Sequence, residues 1–254
     1  MLAKWMNCIA CCFNFDITPV LKMTSIKNYI DDFLHLLFPH ICIGCDSDIL
    51  NDEDILCAEC LNSLPETGFL GTAQNPVEKI FYGRMQVEHA GSAFYFNKDS
   101  VIQNAIIQLK YKNNQKAGIF LGRLLGYQLI NSKRFDDIDA IVPLPLNDKK
   151  LFRRGYNQSL AIVNGITSVW NKPVITDAVE RIAFTETQTH KDRIARWQTM
   201  DGVFTVTQPS LIINKHILLI DDVVTTGATL EACGTAILQT TGVKLSLATA
   251  AYTI

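Results

Sequence analysis

The sequence predicts an α/β fold: a largely parallel sheet with helices on both faces, preceded by a small cysteine-rich unit. Three observations carry this. Short, wholly apolar runs such as Ile217–Ile220 and Ile138–Val142 have the pattern of strands buried on both faces. Segments with helical apolar spacing alternate with them, as in βαβ units. Cys42, Cys45, Cys57 and Cys60 form two C-x2-C pairs ahead of the first strand.

The elements follow in chain order. Residues 1–22 are read as an N-terminal extension, or as a start placed upstream of Met23; Lys4 alone is a weak charged start for a signal peptide, and no small-residue cleavage site follows. Ile26, Tyr29, Ile30, Phe33, Leu34, Leu37 and Phe38 have helical spacing that Pro39 ends. Residues 65–80, with Pro65, Gly68, Gly71 and Pro76, read as a linker or irregular connection. Gln86–Phe96 looks extended, and Asp99–Lys112 and Ala117–Ile130 look helical. A strand over Ile138–Val142 ends in Pro143-Leu144-Pro145, and Gln158–Trp170 is helical. Phe184–Trp197 is polar and basic, and Gly202–Val206 reads as a short strand. The Ile217 strand, a helix carrying Leu230, Cys233 and Ile237, and a strand from Val243 to about Tyr252 close the chain. The division this implies is 1–22 extension, 23–80 helix, cysteine unit and linker, and 81–254 sheet domain.

With 254 residues, 48% of them hydrophobic, the chain can bury a full core and a small second unit. The net charge of −2 gives no bulk support for binding nucleic acid or a membrane surface, so either would need a local basic patch. No run reaches the roughly 18 apolar residues of a membrane span. The eight cysteines fit a reducing cytoplasm better than a disulfide framework. Four have metal spacing, and Cys233 reads as a small buried hydrophobe.

Two residues between cysteines let both thiolates reach one ion, and a second pair completes a tetrahedron. Structural Zn2+ is the expected occupant of Cys42, Cys45, Cys57 and Cys60, ahead of an iron–sulfur cluster or a redox dithiol. Four thiolates would leave no open position for catalysis.

Asp221-Asp222-Val223-Val224-Thr225-Thr226-Gly227-Ala228-Thr229 follows the Ile217 strand. A hydroxyl- and glycine-rich turn that opens a helix offers backbone N–H groups and a positive dipole end to a phosphate. Acids beside such a cradle suit a ligand that carries sugar hydroxyls as well. The turn lacks the lysine of a Walker A loop, and Gly227 alone does not make a dinucleotide fingerprint.

Ile217–Leu230 resembles the phosphoribosyl pyrophosphate (PRPP) motif of type I phosphoribosyltransferases. The cysteine knuckle extends the resemblance to the ComF (competence protein F-like) family. So do Tyr82-Gly83-Arg84, Leu109-Lys110-Tyr111, Val142-Pro143-Leu144-Pro145, Arg153-Arg154-Gly155-Tyr156-Asn157-Gln158, Arg181, Thr185, Gln188 and Arg196, so that it covers about residues 23–254. Ile107 stands where a histidine is expected, and Thr199 where an asparagine is usual.

The resemblance implies a type I phosphoribosyltransferase fold and PRPP as ligand, with Mg2+. Asp221 and Asp222 would accept hydrogen bonds from the ribose hydroxyls, and residues 225–229 would hold the 5-phosphate, with Gly227 allowing close backbone approach. Lys110, Arg153 and Arg154 would help neutralise the leaving pyrophosphate. Arg181, Thr185, Gln188, Lys191, Arg193 and Arg196 would belong to a mobile loop over the site. The acceptor has no evident recognition residues. The resemblance also implies a role in natural competence, with single-stranded DNA and a helicase-like protein as partners. A non-catalytic PRPP- or nucleotide-sensing adaptor is the alternative reading.

Overall fold

The computed structural model describes residues 41–48, 54–182 and 203–253. The extension 1–22, the helix expected over Ile26–Phe38 and the loop residues Thr185, Gln188, Lys191, Arg193 and Arg196 lie outside them.

The main sheet has four parallel strands: β1 (Ala90–Phe96), β2 (Ala140–Pro143), β5 (His216–Val224) and β6 (Lys244–Thr253), in the spatial order β1-β6-β5-β2. The central pair aligns His216 with Lys244 and Val224 with Tyr252, so the carboxyl ends share one edge. Period-two alternation divides the core. Leu218 and Ile220 face one hydrophobic cluster, and Ile217 and Leu219 face the other. The first cluster is completed by α3 (Val101–Tyr111), α4 (Gln115–Ser132) and α6 (Gln158–Thr167), through Ile102, Leu109, Leu121, Leu125, Ile162 and Ile166. On the second face lie α2 (Pro76–Phe81) and α7 (Ala228–Leu238), through Val77, Phe81, Leu230, Cys233 and Ile237. Helices thus cover both faces, as a parallel sheet requires. Cys233 is fully buried there, as expected of a small hydrophobe.

Helix α4 meets α6 backbone to backbone. A Cβ on Gly122 would stand 1.9 Å from the Ile162 carbonyl oxygen, so only glycine permits this approach. The contact seats α6, whose first turn reaches the carboxyl edge of the sheet. Asn157 caps that turn, accepting from the Ser159 N–H at 2.9 Å, and its own amide donates to the Leu144 carbonyl at 3.0 Å. The loop after β2 and the start of α6 are tied together in this way.

One expectation needs correction in part. Residues 65–75 form an irregular connection as expected, but 76–80 are helical: Asn75 accepts from the N–H groups of Val77 and Glu78 and nucleates α2, with Pro76 at its start. Phe69, Leu70, Val77 and Phe81 are buried. The basic stretch 149–154 belongs to α5 (Asp148–Arg154), stopped by Gly155 at φ 77°. The short strand expected over 202–206 is β4 (Phe204–Val206), and it pairs antiparallel with β3 (Val179–Arg181), three residues too short for sequence periodicity to reveal. The cysteine segment contributes the short helix α1 (Ala58–Asn62). Cys42, Ile55, Leu56, Cys57 and Cys60 belong to the same hydrophobic cluster as Ile102 and Leu109 of α3. No helix among the described residues is long and apolar enough to cross a membrane.

Candidate functional site

A cleft of about 420 Å³ opens outside the carboxyl ends of the four strands. Phe96 of β1, Thr253 of β6, Leu144 after β2 and Asp221, Asp222, Val223 and Thr225 of β5 and its turn contribute to its floor. Lys110 of α3, Lys150 and Arg154 of α5, Ser159 of α6 and Arg181 of β3 line its walls.

The strand does not stop before the acids. It runs through them to Val224, with Asp221 paired to Thr249 and Val223 to Ala251. Ladder pairing fixes both carboxylates rather than leaving them on a loop. Asp222 is 7% exposed, and its Oδ1 is 2.9 Å from the Lys110 ammonium. Asp221 Oδ1 accepts from Ser159 Oγ at 3.1 Å and from the Asp222 N–H at 2.8 Å. Burial and then the adjacent Asp222 charge push the Asp221 carboxyl up to about 7, against the pull of those donors and Lys110. Ser159 carries no sequence signal beyond its place at a capped helix start. Its role comes only from the packing of α6 beside β5.

The turn opens a helix, as expected. Gly227 sits at φ 74°, α7 starts at Ala228, and no side chain caps its N-terminus. Thr225 and Thr229 line the cleft; Thr226, Gly227 and Ala228 do not, and Val224 is buried in the core. A Cβ on Gly227 would stand 2.7 Å from Ile80 Cγ2 and 2.9 Å from Phe81 Cε1. The close approach that requires glycine is therefore to α2.

The cations converge from several elements. Burial, followed by the charges of Arg181, Arg154, Arg153 and Lys110, pushes the Lys150 ammonium below its ordinary value, which marks crowded positive charge that an anion would relieve. Arg154 donates to Gln158 Oε1 at 2.7 Å and stands 5.8 Å from the centre of the Tyr111 ring. Arg153 does not line this cleft; it faces an adjoining depression with Lys110, Tyr111, Arg154 and Tyr156. Arg181, expected on a mobile loop, is on β3, 5.2 Å over the Phe204 ring.

The sulfurs of Cys42, Cys45, Cys57 and Cys60 all lie within 4.8 Å of one another, positioned to hold a metal ion. Ligands about 2.3 Å from a tetrahedral ion stand at comparable separations. Cys42 Sγ accepts from the N–H groups of Cys57 and Gly44 at 3.3 and 3.4 Å. Burial pushes this thiol up, but the amides of Cys57, Cys45 and Gly44 outweigh it and bring it down to about 6. Burial and the neighbouring thiols push Cys60 up, a cost that a bound cation would remove. Gly44 permits the knuckle, since a Cβ there would lie 2.8 Å from Cys60 Sγ.

No protein-family model matches the chain. It is 27% identical over 213 residues to competence protein F of Haemophilus influenzae, covering 75% of this chain and 87% of that protein. It is 30% identical over 127 residues to the DNA utilization protein YhgH of Escherichia coli K12, covering 49% of this chain and 55% of the relative. The YhgH protein of Salmonella typhi is 30% identical over 129 residues, 48% of this chain and 54% of its own length. The chain thus matches about half the length of the YhgH proteins.

Proposed function

Since this chain is a homologue of competence protein F and belongs to the ComF family, we propose that it binds PRPP with Mg2+ in the cleft and transfers the phosphoribosyl group to an acceptor. One observation carries the reading: two strand-borne carboxylates, a helix-opening turn and the cations Lys110, Lys150 and Arg154 share one cleft of about 420 Å³. That set matches a ligand with a diol, a terminal phosphate and a second, more highly charged phosphate group.

Asp221 and Asp222 accept from the ribose hydroxyls, and their charge favours the cationic character that the sugar acquires as pyrophosphate leaves. Residues 225–229 hold the 5-phosphate, with the Thr225 and Thr229 side chains on the cleft side. Lys110, Lys150 and Arg154 offset the charge of the pyrophosphate, and Arg153 extends this basic face beside the cleft. Mg2+ would accompany the pyrophosphate and help to neutralise its charge. The covering role that the resemblance implies for Thr185, Gln188, Lys191, Arg193 and Arg196, which lie outside the described residues, would keep water from the activated sugar. The four cysteines would hold a structural Zn2+, leaving it no open position for chemistry. This reading places the protein in a reducing cytoplasm, where the thiolates stay available to the ion.

A second reading has its own support. Phe152 is 93% exposed on α5 among Lys149, Lys150, Arg153 and Arg154, and Tyr111 is 70% exposed nearby. Exposed rings among cations suit stacking of single-stranded DNA, in keeping with relatives named for competence and DNA utilization. The chain would then act in competence as a PRPP- or nucleotide-sensing adaptor for a helicase-like partner.

One experiment separates these readings. The protein is mixed with PRPP, Mg2+ and a panel of nucleobases, and pyrophosphate release is followed. Release above that of an Asp221→Asn, Asp222→Asn double variant supports the transferase. PRPP binding without release supports the adaptor, and absence of PRPP binding overturns both.

A further inference from the structure

Tyr82-Gly83-Arg84 has no place in the chemistry above, yet Arg84 reaches the phosphate turn from 142 residues away in sequence. Its Nη1 donates to the Thr226 carbonyl at 2.8 Å and to the Ile80 carbonyl at 3.1 Å. Its Nη2 pairs with the carboxylate of Glu231, in the first turn of α7. The preceding residues Ile80 and Phe81 pack against Gly227. The end of α2 and the residues after it therefore back the turn on the side away from the cleft.

We propose that Arg84 is a positioning residue for the phosphate end of the cleft, holding the Thr226–Gly227 peptide and cancelling the Glu231 charge beside the anion cradle. The inference rests on the phosphate reading given above. The physical argument has two parts. The Thr226–Gly227 peptide is trans, so its C=O and N–H point in opposite directions. A carbonyl anchored on Arg84 turns the Gly227 N–H to the opposite side and fixes it before a ligand arrives. Such preorganisation removes an ordering cost from binding. Glu231 favours the positive end of α7, but it is also an anion close to where a second anion would dock. The guanidinium answers that charge, and its five donors in a planar fork reach a carboxylate and two carbonyls together.

The test compares two probes that use opposite ends of the cleft, ribose 5-phosphate and Mg2+-pyrophosphate, by calorimetric titration of the full chain. Arg84→Ala is expected to weaken ribose 5-phosphate roughly tenfold, the scale of a lost charge-assisted hydrogen bond, and to leave pyrophosphate within about twofold. Arg84→Lys, which keeps the charge and loses the fork, should fall between. Adding Glu231→Gln to Arg84→Ala should restore part of the ribose 5-phosphate affinity by removing the uncompensated anion. Equal losses for both probes would mean general loosening and overturn the proposal. So would unchanged ribose 5-phosphate binding in Arg84→Ala. If the unmodified chain binds neither probe, the phosphate reading itself fails and this inference with it, an outcome distinct from loss in the variant alone.

Discussion

Replacing Asp221 by Asn should stabilise the protein in neutral to alkaline solution while impairing its ligand site. Asn keeps an oxygen that can accept from Ser159 Oγ and the Asp222 N–H, so the hydrogen bonds at 3.1 and 2.8 Å survive in outline. The ionisable proton is what disappears. Burial and the neighbouring Asp222 charge raise the Asp221 carboxyl from 3.8 to about 7 on folding. A group whose folded pKa is raised contributes stability that is fully present below the unfolded pKa and is lost as pH rises through the folded one. The loss is on the order of a few kcal/mol at high pH, most of it falling between about pH 5 and pH 8. Urea denaturation of wild type and Asp221→Asn at these two pH values reads the titration of the Asp221–Asp222 pair, because the remaining titrating groups are common to both. The stability difference should move in favour of the variant by roughly 2–3 kcal/mol from pH 5 to pH 8. A difference constant to within about 0.5 kcal/mol would refute the reasoning, since Asp221 would then titrate alike in the folded and unfolded chains. Sugar hydroxyls donate to the ionised carboxylate, so the affinity of wild type for PRPP should rise across the same pH range.

Gly227→Ala puts a side chain at φ 74°, with its Cβ 2.7 Å from Ile80 Cγ2 and 2.9 Å from Phe81 Cε1. Left-handed strain of about 1–2 kcal/mol and overpacking of about 1–3 kcal/mol should lower stability by about 2–5 kcal/mol in urea denaturation, and a loss below about 1 kcal/mol would show that α2 yields readily. Metal analysis of the purified protein should find about one Zn2+ per chain, and Cys57→Ser should lower both metal content and resistance to thermal unfolding. Chelation should weaken the wild type more than the variant, and a metal content below about half an equivalent in wild type would exclude the zinc assignment.

The sequence by itself determined what depends on neighbours along the chain. Ile217–Ile220, Ile138–Val142 and the run from Val243 read as strands because a parallel strand covered on both faces must be apolar on both. The helices over 101–111 and 115–132 show in the apolar period, and the cysteine cluster in its C-x2-C spacing. The turn after Asp221-Asp222 was legible as the opening of a helix because glycine and hydroxyl residues follow a buried run at once. Tertiary structure decided the rest. The order β1-β6-β5-β2 joins segments far apart in sequence, which no local pattern encodes. Helix α2 is six residues long and exists because Asn75 caps it and Phe81 finds a core, so its sequence alone resembles a linker. Arg153 and Arg154 are adjacent, yet only Arg154 lines the cleft, because their side chains leave α5 in different directions. Ser159 and Arg84 reach the site from distant segments, through hydrogen bonds whose partners are chosen by packing. Local sequence specified the chemical groups; the long-range burial of α2, α3 and α6 against the sheet specified which of them meet.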